Sequence, residues 1–135
     1  MRSAEFGLSD YRESMRSSDF GFRLQERTKA FALRTIGFVA AFPRNKVADV
    51  IGYQLLKSAT SIGANYREAN RAESRADFLH KVAIVEKEAA ETEYWLEVCQ
   101  EAHVGEAQEC AWLRQEVDEL LAIFTSIGKK VKQGL

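Results

Sequence analysis

Two histidines, two cysteines and a long run of glutamates are the residues of this sequence whose chemistry is worth testing first. Cys99 and His103 stand four residues apart, a spacing that puts both on one face of a helix, where they could bind a metal. A metal site needs three or four ligands, and no second Cys/His pair exists to complete one. The di-metal bundles use Glu-x-x-His on two helices, and here no histidine follows a glutamate by three residues. Glu86, Glu88, Glu91, Glu93, Glu97 and Glu101 offer carboxylates for acid–base work, but a glutamate-rich helix face is ordinarily solvated. There is no glycine-rich phosphate loop and no nucleophile motif. No enzyme, cofactor or metal is expected.

A second group of polar residues is arranged more deliberately. Gln54, Ser58, Ser61, Asn65 and Glu68 recur at steps of four, three, four and three, which makes a polar stripe along one helix. Lys81, Ile84, Glu88, Glu91 and Trp95 flank the apolar stripe of the next helix in the same way. Such stripes are either solvated faces or a hydrogen-bonded network that fixes helix pairing and oligomer register. Tyr94 and Trp95 are adjacent and cannot both enter one narrow seam, and Trp112 lies off its helix's main stripe. These rings either cap a bundle core or anchor an interface.

The elements that must carry these residues are helices. From Arg23 onward the apolar residues recur at three- and four-residue steps. A first helix is predicted from near Phe22 to Ala41, with Ser18 or Asp19 as capping options, ending at Pro43. A second follows Asn45, a good N-cap, and reaches about Asn70, with Val47, Ile51, Leu55, Ile62, Tyr66 and Ala69 on one face. A third follows the capping pattern Ser74-Arg-Ala-Asp77 to about His103, where Gly105 suits a C-cap turn. A fourth runs from about Glu106 to Val131. Small residues Ala59, Gly63 and Ala64 allow close backbone approach on the second helix. Long helices joined by short turns pack antiparallel, so the predicted fold is all-α, an up-down-up-down four-helix bundle over residues 21–135. Residues 1–20 lack sustained periodicity and read as a flexible N-terminal arm.

Length and composition agree. The 135 residues, 46% hydrophobic and 29% charged, suit one domain with its own core and exclude wholesale disorder. No run approaches the ~20 apolar residues of a membrane span, and the N-terminus has no apolar signal region. A cytoplasmic protein with reduced thiols at Cys99 and Cys110 is expected.

The net charge of −1 conceals a division. Residues 21–71 hold nine Lys and Arg against three Asp and Glu, whereas residues 72–128 hold four against thirteen. Attraction between helices of one bundle, attraction between subunits, and a basic nucleic-acid face would each produce this pattern. The last would draw on Arg23, Arg27, Lys29, Arg34, Arg44, Lys46, Arg67 and Arg71.

Three segments, Ser61-Ile-Gly-Ala-Asn65-Tyr-Arg-Glu68-Ala69, Ala76-Asp-Phe78-Leu-His-Lys81 and Lys87-Glu88-Ala89-Ala-Glu91-Thr92-Glu-Tyr94-Trp95-Leu96, resemble a known family in their order and spacing. Gln54-Leu-Leu-Lys-Ser58-Ala-Thr-Ser61 fits the same pattern. The family is that of the bacterial four-helix-bundle proteins encoded in intervening sequences of the 23S ribosomal RNA gene. It is similar to the accessory variability determinant of diversity-generating retroelements, a basic, nucleic-acid-binding pentamer. The resemblance implies a homo-oligomer, typically a pentamer, without an established enzymatic role. Carried onto this chain, the motif positions are Ser58, Ser61, Asn65, Glu68, Phe78, Lys81, Glu88, Glu91, Tyr94 and Trp95, which the resemblance implies are structural or assembly residues. RNA or DNA is a further partner to test, although this chain is slightly acidic.

Overall fold

A computed structural model describes residues 7–17 and 20–134. Among them are five helices and no strand: α1 (Leu8–Ser17), α2 (Phe20–Ala40), α3 (Lys46–Ala69), α4 (Arg75–Ala102) and α5 (Ala107–Gln133). The four long ones are the predicted four. Each buries an alternating three–four seam. On α4 it is Phe78, Val82, Val85, Ala89, Thr92, Leu96 and Cys99; on α5 it is Cys110, Leu113, Val117, Leu120, Phe124, Ile127 and Val131. This spacing keeps one stripe facing inward over about six turns and gives knobs-into-holes packing between nearly aligned helices. Fully burying one such Leu, Val or Phe side chain stabilises by roughly 1.5–3 kcal/mol.

Packing is most extensive between α3 and α4 and between α4 and α5, less so between α2 and α3, and lightest between α2 and α5, where the ring of helices closes. Cross-helix partners run in opposite chain directions. Arg27 meets Glu116 while Arg34 meets Glu109, and Cys110 bonds the Leu96 carbonyl while Thr125 bonds Glu86. The neighbouring helices are therefore antiparallel.

The helix ends follow local chemistry. Asn45 has extended backbone and its side chain accepts from Ala48 N at 2.8 Å, as its residue type predicts. Ser74 accepts from Asp77 N at 3.1 Å. At the end of α4 the left-handed residue is His103, with φ 57°, not the glycine expected there. Val104 N then returns to Cys99 O at 2.9 Å, which satisfies a terminal carbonyl. Gly105 takes a second positive φ, 92°, two residues later. A Cβ on it would stand 2.5 Å from Phe38, so the turn needs glycine both for its backbone and to admit the α2 ring.

Two expectations change. Val47, placed on the core face by its spacing, is 62% exposed, because it begins α3 on the shoulder of the seam and Ala48 turns inward instead. Within the segment read as an arm, residues 8–17 form α1, whose Leu8 and Tyr11 are buried. Two anchors three residues apart are too few to register as a period, and the helix depends on what they dock against. The capping options Ser18 and Asp19 lie outside the described residues.

Replacing Gly105 by alanine should lower stability by about 1–3 kcal/mol, since both backbone and space oppose a Cβ. Urea unfolding of Gly105→Ala against the parent checks this, and an unchanged midpoint would contradict the packing of Phe38 on the turn.

Candidate functional site

The polar stripe of α3 and its counterpart on α4 border the seam where these two helices pack. At its centre the hydroxyls of Ser58 and Thr92, both fully buried, meet at 2.9 Å. Each also serves its own helix: Ser58 donates to Leu55 O at 3.2 Å and Thr92 to Glu88 O at 2.7 Å. A hydroxyl has one proton, so at any instant one of the two completes the cross-helix bond while the other bonds its own turn. Thr92 was legible as a seam position but not as the partner of Ser58.

Away from this pair the stripe turns to its own backbone. Ser61 Oγ donates to Lys57 O at 2.6 Å, and Asn65 Nδ2 to Ser61 O at 2.8 Å. Both are half-buried, while Glu68 is exposed. On α4, Phe78 is in the core, and Lys81, Glu88 and Glu91 are half-buried. Trp95 is also half-buried and its Nε1 donates to Glu91 at 3.4 Å. Tyr94 projects outward, 54% exposed, its ring edge-on to Trp95 at 4.9 Å. The ten motif residues thus divide between the protomer interior, local helix bonds and an outward face.

The predicted basic residues are likewise divided. Arg27 grips Glu116 with two nitrogens, at 2.7 and 2.9 Å, and reaches Glu119 at 2.8 Å. One heptad on, Arg34 holds Glu109 at 2.6 and 3.0 Å and lies 3.5 Å over the Trp112 ring. Lys29 and Arg67 both lean on Glu26, at 3.2 and 3.8 Å. Arg23, Arg44, Lys46 and Arg71 are exposed and have no carboxylate partner among the described residues. Trp112, an apparent outlier, is the platform for Arg34. The carboxylates that receive these arginines were not singled out from sequence, although a seven-residue step in Arg27 and Arg34 matches the one in Glu109 and Glu116.

Two carboxylates near these pairs are shifted in opposite directions. Glu93 shares a hydrogen bond with Asp118 across α4 and α5, which holds its carboxyl above the usual range, helped by partial burial and by the Asp118 charge. Glu119 is held below the usual range by bonds from Gln115 and Arg27. In the core, burial pushes the Cys99 thiol up to about 12, and also raises Cys110. Both cysteines are free. His103, left-handed and exposed at the helix end, shares no metal-binding cluster with Cys99: among the described residues no group of three His, Cys, Asp or Glu side chains is placed to hold an ion. A further polar contact lies under α1, where the Tyr11 and Tyr66 hydroxyls meet at 2.6 Å and Tyr11 reaches Asn70 at 3.4 Å. Burial raises both phenols, so they stay neutral. No described helix is long and apolar enough to cross a membrane.

A ring of antiparallel helices with a polar α3–α4 seam and an ion-paired α2–α5 closure defines a helical bundle. The model of the 23S rRNA-intervening sequence protein family matches residues 22–126. The chain belongs to that family. It is also similar to a crystal structure from Bacteroides thetaiotaomicron, of a protein of unknown function from the S23 ribosomal protein family. Identity is 34%, the TM-score is 0.74, and the match covers 81% of this chain and 97% of that one. Among curated proteins none matches. The family match begins within α2, so α1 lies outside it.

The Glu93–Asp118 contact gives a signed pH prediction. A carboxyl whose folded pKa is raised stabilises the fold below its unfolded value and loses that stabilisation as pH rises through the folded value. Glu93→Gln keeps a hydrogen-bond donor toward Asp118 and removes the repulsion. It should therefore melt higher than the parent at pH 7, with the difference shrinking below the carboxylate range. Melting curves from pH 3 to 7 check this, and a gain confined to acid would reverse the sign.

Proposed function

We propose that the chain works as a non-enzymatic, homo-oligomeric bundle, a pentamer of the kind its family resemblance implies, with further copies of itself as its partner and the cytoplasm as its compartment. The observation that carries this reading is a set of large apolar side chains turned away from the core. Leu33, Val50 and Tyr53 are 61%, 54% and 64% exposed, and Ile36 and Val47 accompany them. Leu33 and Ile36 stand one turn apart on α2, as do Val47, Val50 and Tyr53 on α3, and large exposed apolar groups clustered on neighbouring helices mark interaction surfaces. In this reading Ser58 and Phe78 hold the protomer together, Ser61, Asn65, Lys81, Glu88, Glu91 and Trp95 shape the α3–α4 seam, and Glu68 and Tyr94 face neighbouring subunits. No cofactor is required.

A second reading, RNA or DNA binding, is favoured by one observation. Arg23, Arg44, Lys46 and Arg71 are exposed cations with no carboxylate partner among the described residues. Against it, Arg27 and Arg34 are committed to α5, and Lys29 and Arg67 share Glu26.

Light scattering coupled to gel filtration should give a mass about five times 15.3 kDa, and a mass of 15.3 kDa at micromolar concentration would overturn self-assembly. In a parallel titration with a large-subunit ribosomal RNA fragment, affinity that falls steeply as salt rises would establish the second reading, because each neutralised phosphate releases counterions. No binding at low salt would remove it.

A further inference from the structure

The charges that the protomer leaves unspent are not scattered. At the seam between α2 and α5 they are consumed in the Arg27 and Arg34 pairs. What remains falls on two different faces. The outer side of α2 and α3 is apolar, with Leu33, Ile36, Val50 and Tyr53 exposed. Near the Pro43 turn it holds an open groove of ≈ 380 Å³, lined by Val39, Phe42, Gly52 and Tyr53 among others. Exposed Arg44, Lys46 and Lys57 rim this face, with Lys29 and Arg67 sharing the half-buried Glu26, against the exposed acids Asp49 and Glu68. The outer side of α4 is the reverse. That helix carries seven Asp and Glu against three Lys and Arg. Its exposed ring, Tyr94, stands one turn from Glu91 and Glu97 and two from Glu101, with Lys87 as the cation on the same side. Glu97 and Glu101 have no cationic partner among the described residues.

Resting on the self-assembly reading, we infer that copies join heterologously: the acidic α4 face of one copy, led by Tyr94, docks on the basic, apolar α2–α3 face of the next. A two-fold contact through the α2–α3 face would set the rim of Arg44, Lys46 and Lys57 in one copy against the same net-basic face of the other, and like charges across an interface select against that pairing. Docking on α4 matches charge and gives an aromatic anchor an apolar groove to fill. The two faces belong to different helices, so each copy still offers one free face after the first contact. Such contacts propagate until they close, which makes a ring the natural product.

Two double variants separate the faces. Val50→Asp with Tyr53→Asp disables the apolar face, and Glu97→Lys with Glu101→Lys disables the acidic one. All four positions are exposed in the protomer, and unchanged circular dichroism confirms that both variants fold. Each alone should run at 15.3 kDa. Mixed in equal amounts, they should form a heterodimer of about twice 15.3 kDa, because one intact face of each kind survives. Full assembled mass in either variant, or a mixture that stays at 15.3 kDa where the parent assembles, overturns the heterologous contact while leaving self-assembly standing. A parent that is itself monomeric overturns both.

Discussion

The bundle closes where its first and last long helices meet, and that closure rests on two arginine forks one heptad apart. Packing between α2 and α5 is the thinnest of the four seams. There Arg27 and Arg34 each present two nitrogens to a carboxylate of α5, in the bidentate geometry that gives an ion pair direction as well as attraction. An exposed pair contributes only about 0–1 kcal/mol, and ideal bidentate geometry or a network raises that. Both conditions hold here: Glu119 joins the first fork, and the Trp112 ring supports the second. The forks also set register. A slide of α2 by one turn would leave two guanidinium groups facing the wrong residues, whereas leucines tolerate such a slide more readily.

This closure resolves part of the division of charge in the sequence. The basic first half and acidic second half attract each other inside one bundle, at the α2–α5 seam. It follows that a basic stretch is a poor guide to a nucleic-acid face until the partners of each cation are known. Of the eight basic residues that sequence brought forward, Arg27 and Arg34 are spent on α5, and Lys29 and Arg67 on Glu26. Those left free lie in the turns or near helix ends.

What was legible in the sequence was whatever repeats. Three–four spacing located four helices to within a few residues, and Asn45 and Ser74 marked two starts because N-capping depends on a side chain's own backbone. Features set by a distant partner were not legible. The helix α1 has two anchors, and its formation depends on Tyr66, Asn70 and Phe78, which a local window does not contain. The left-handed His103 was hidden because glycine two residues later was the better candidate by type. The polar stripe was visible as a period, but its interior bond could not be placed without Thr92, which hides within an apolar seam as a β-branched side chain of nearly valine's shape.

The buried hydroxyls carry the same logic inward. Thr28, Thr35, Ser58 and Thr92 are fully buried, and each has a carbonyl of its own helix, three or four residues back, within donating reach. A hydroxyl satisfied within its own turn enters a core without the desolvation penalty of an unpaired group. It can therefore sit in a seam as if it were apolar, at no demand on the neighbouring helix. Ser58 and Thr92 alone of these four are bonded across helices, at the middle of the most extensively packed seam. One directional bond there distinguishes the right pairing of α3 and α4 from a slide by a turn, as the arginine forks do for α2 and α5. Polar residues thus specify alignment at two seams of the ring, while the apolar repeats supply most of the cohesion.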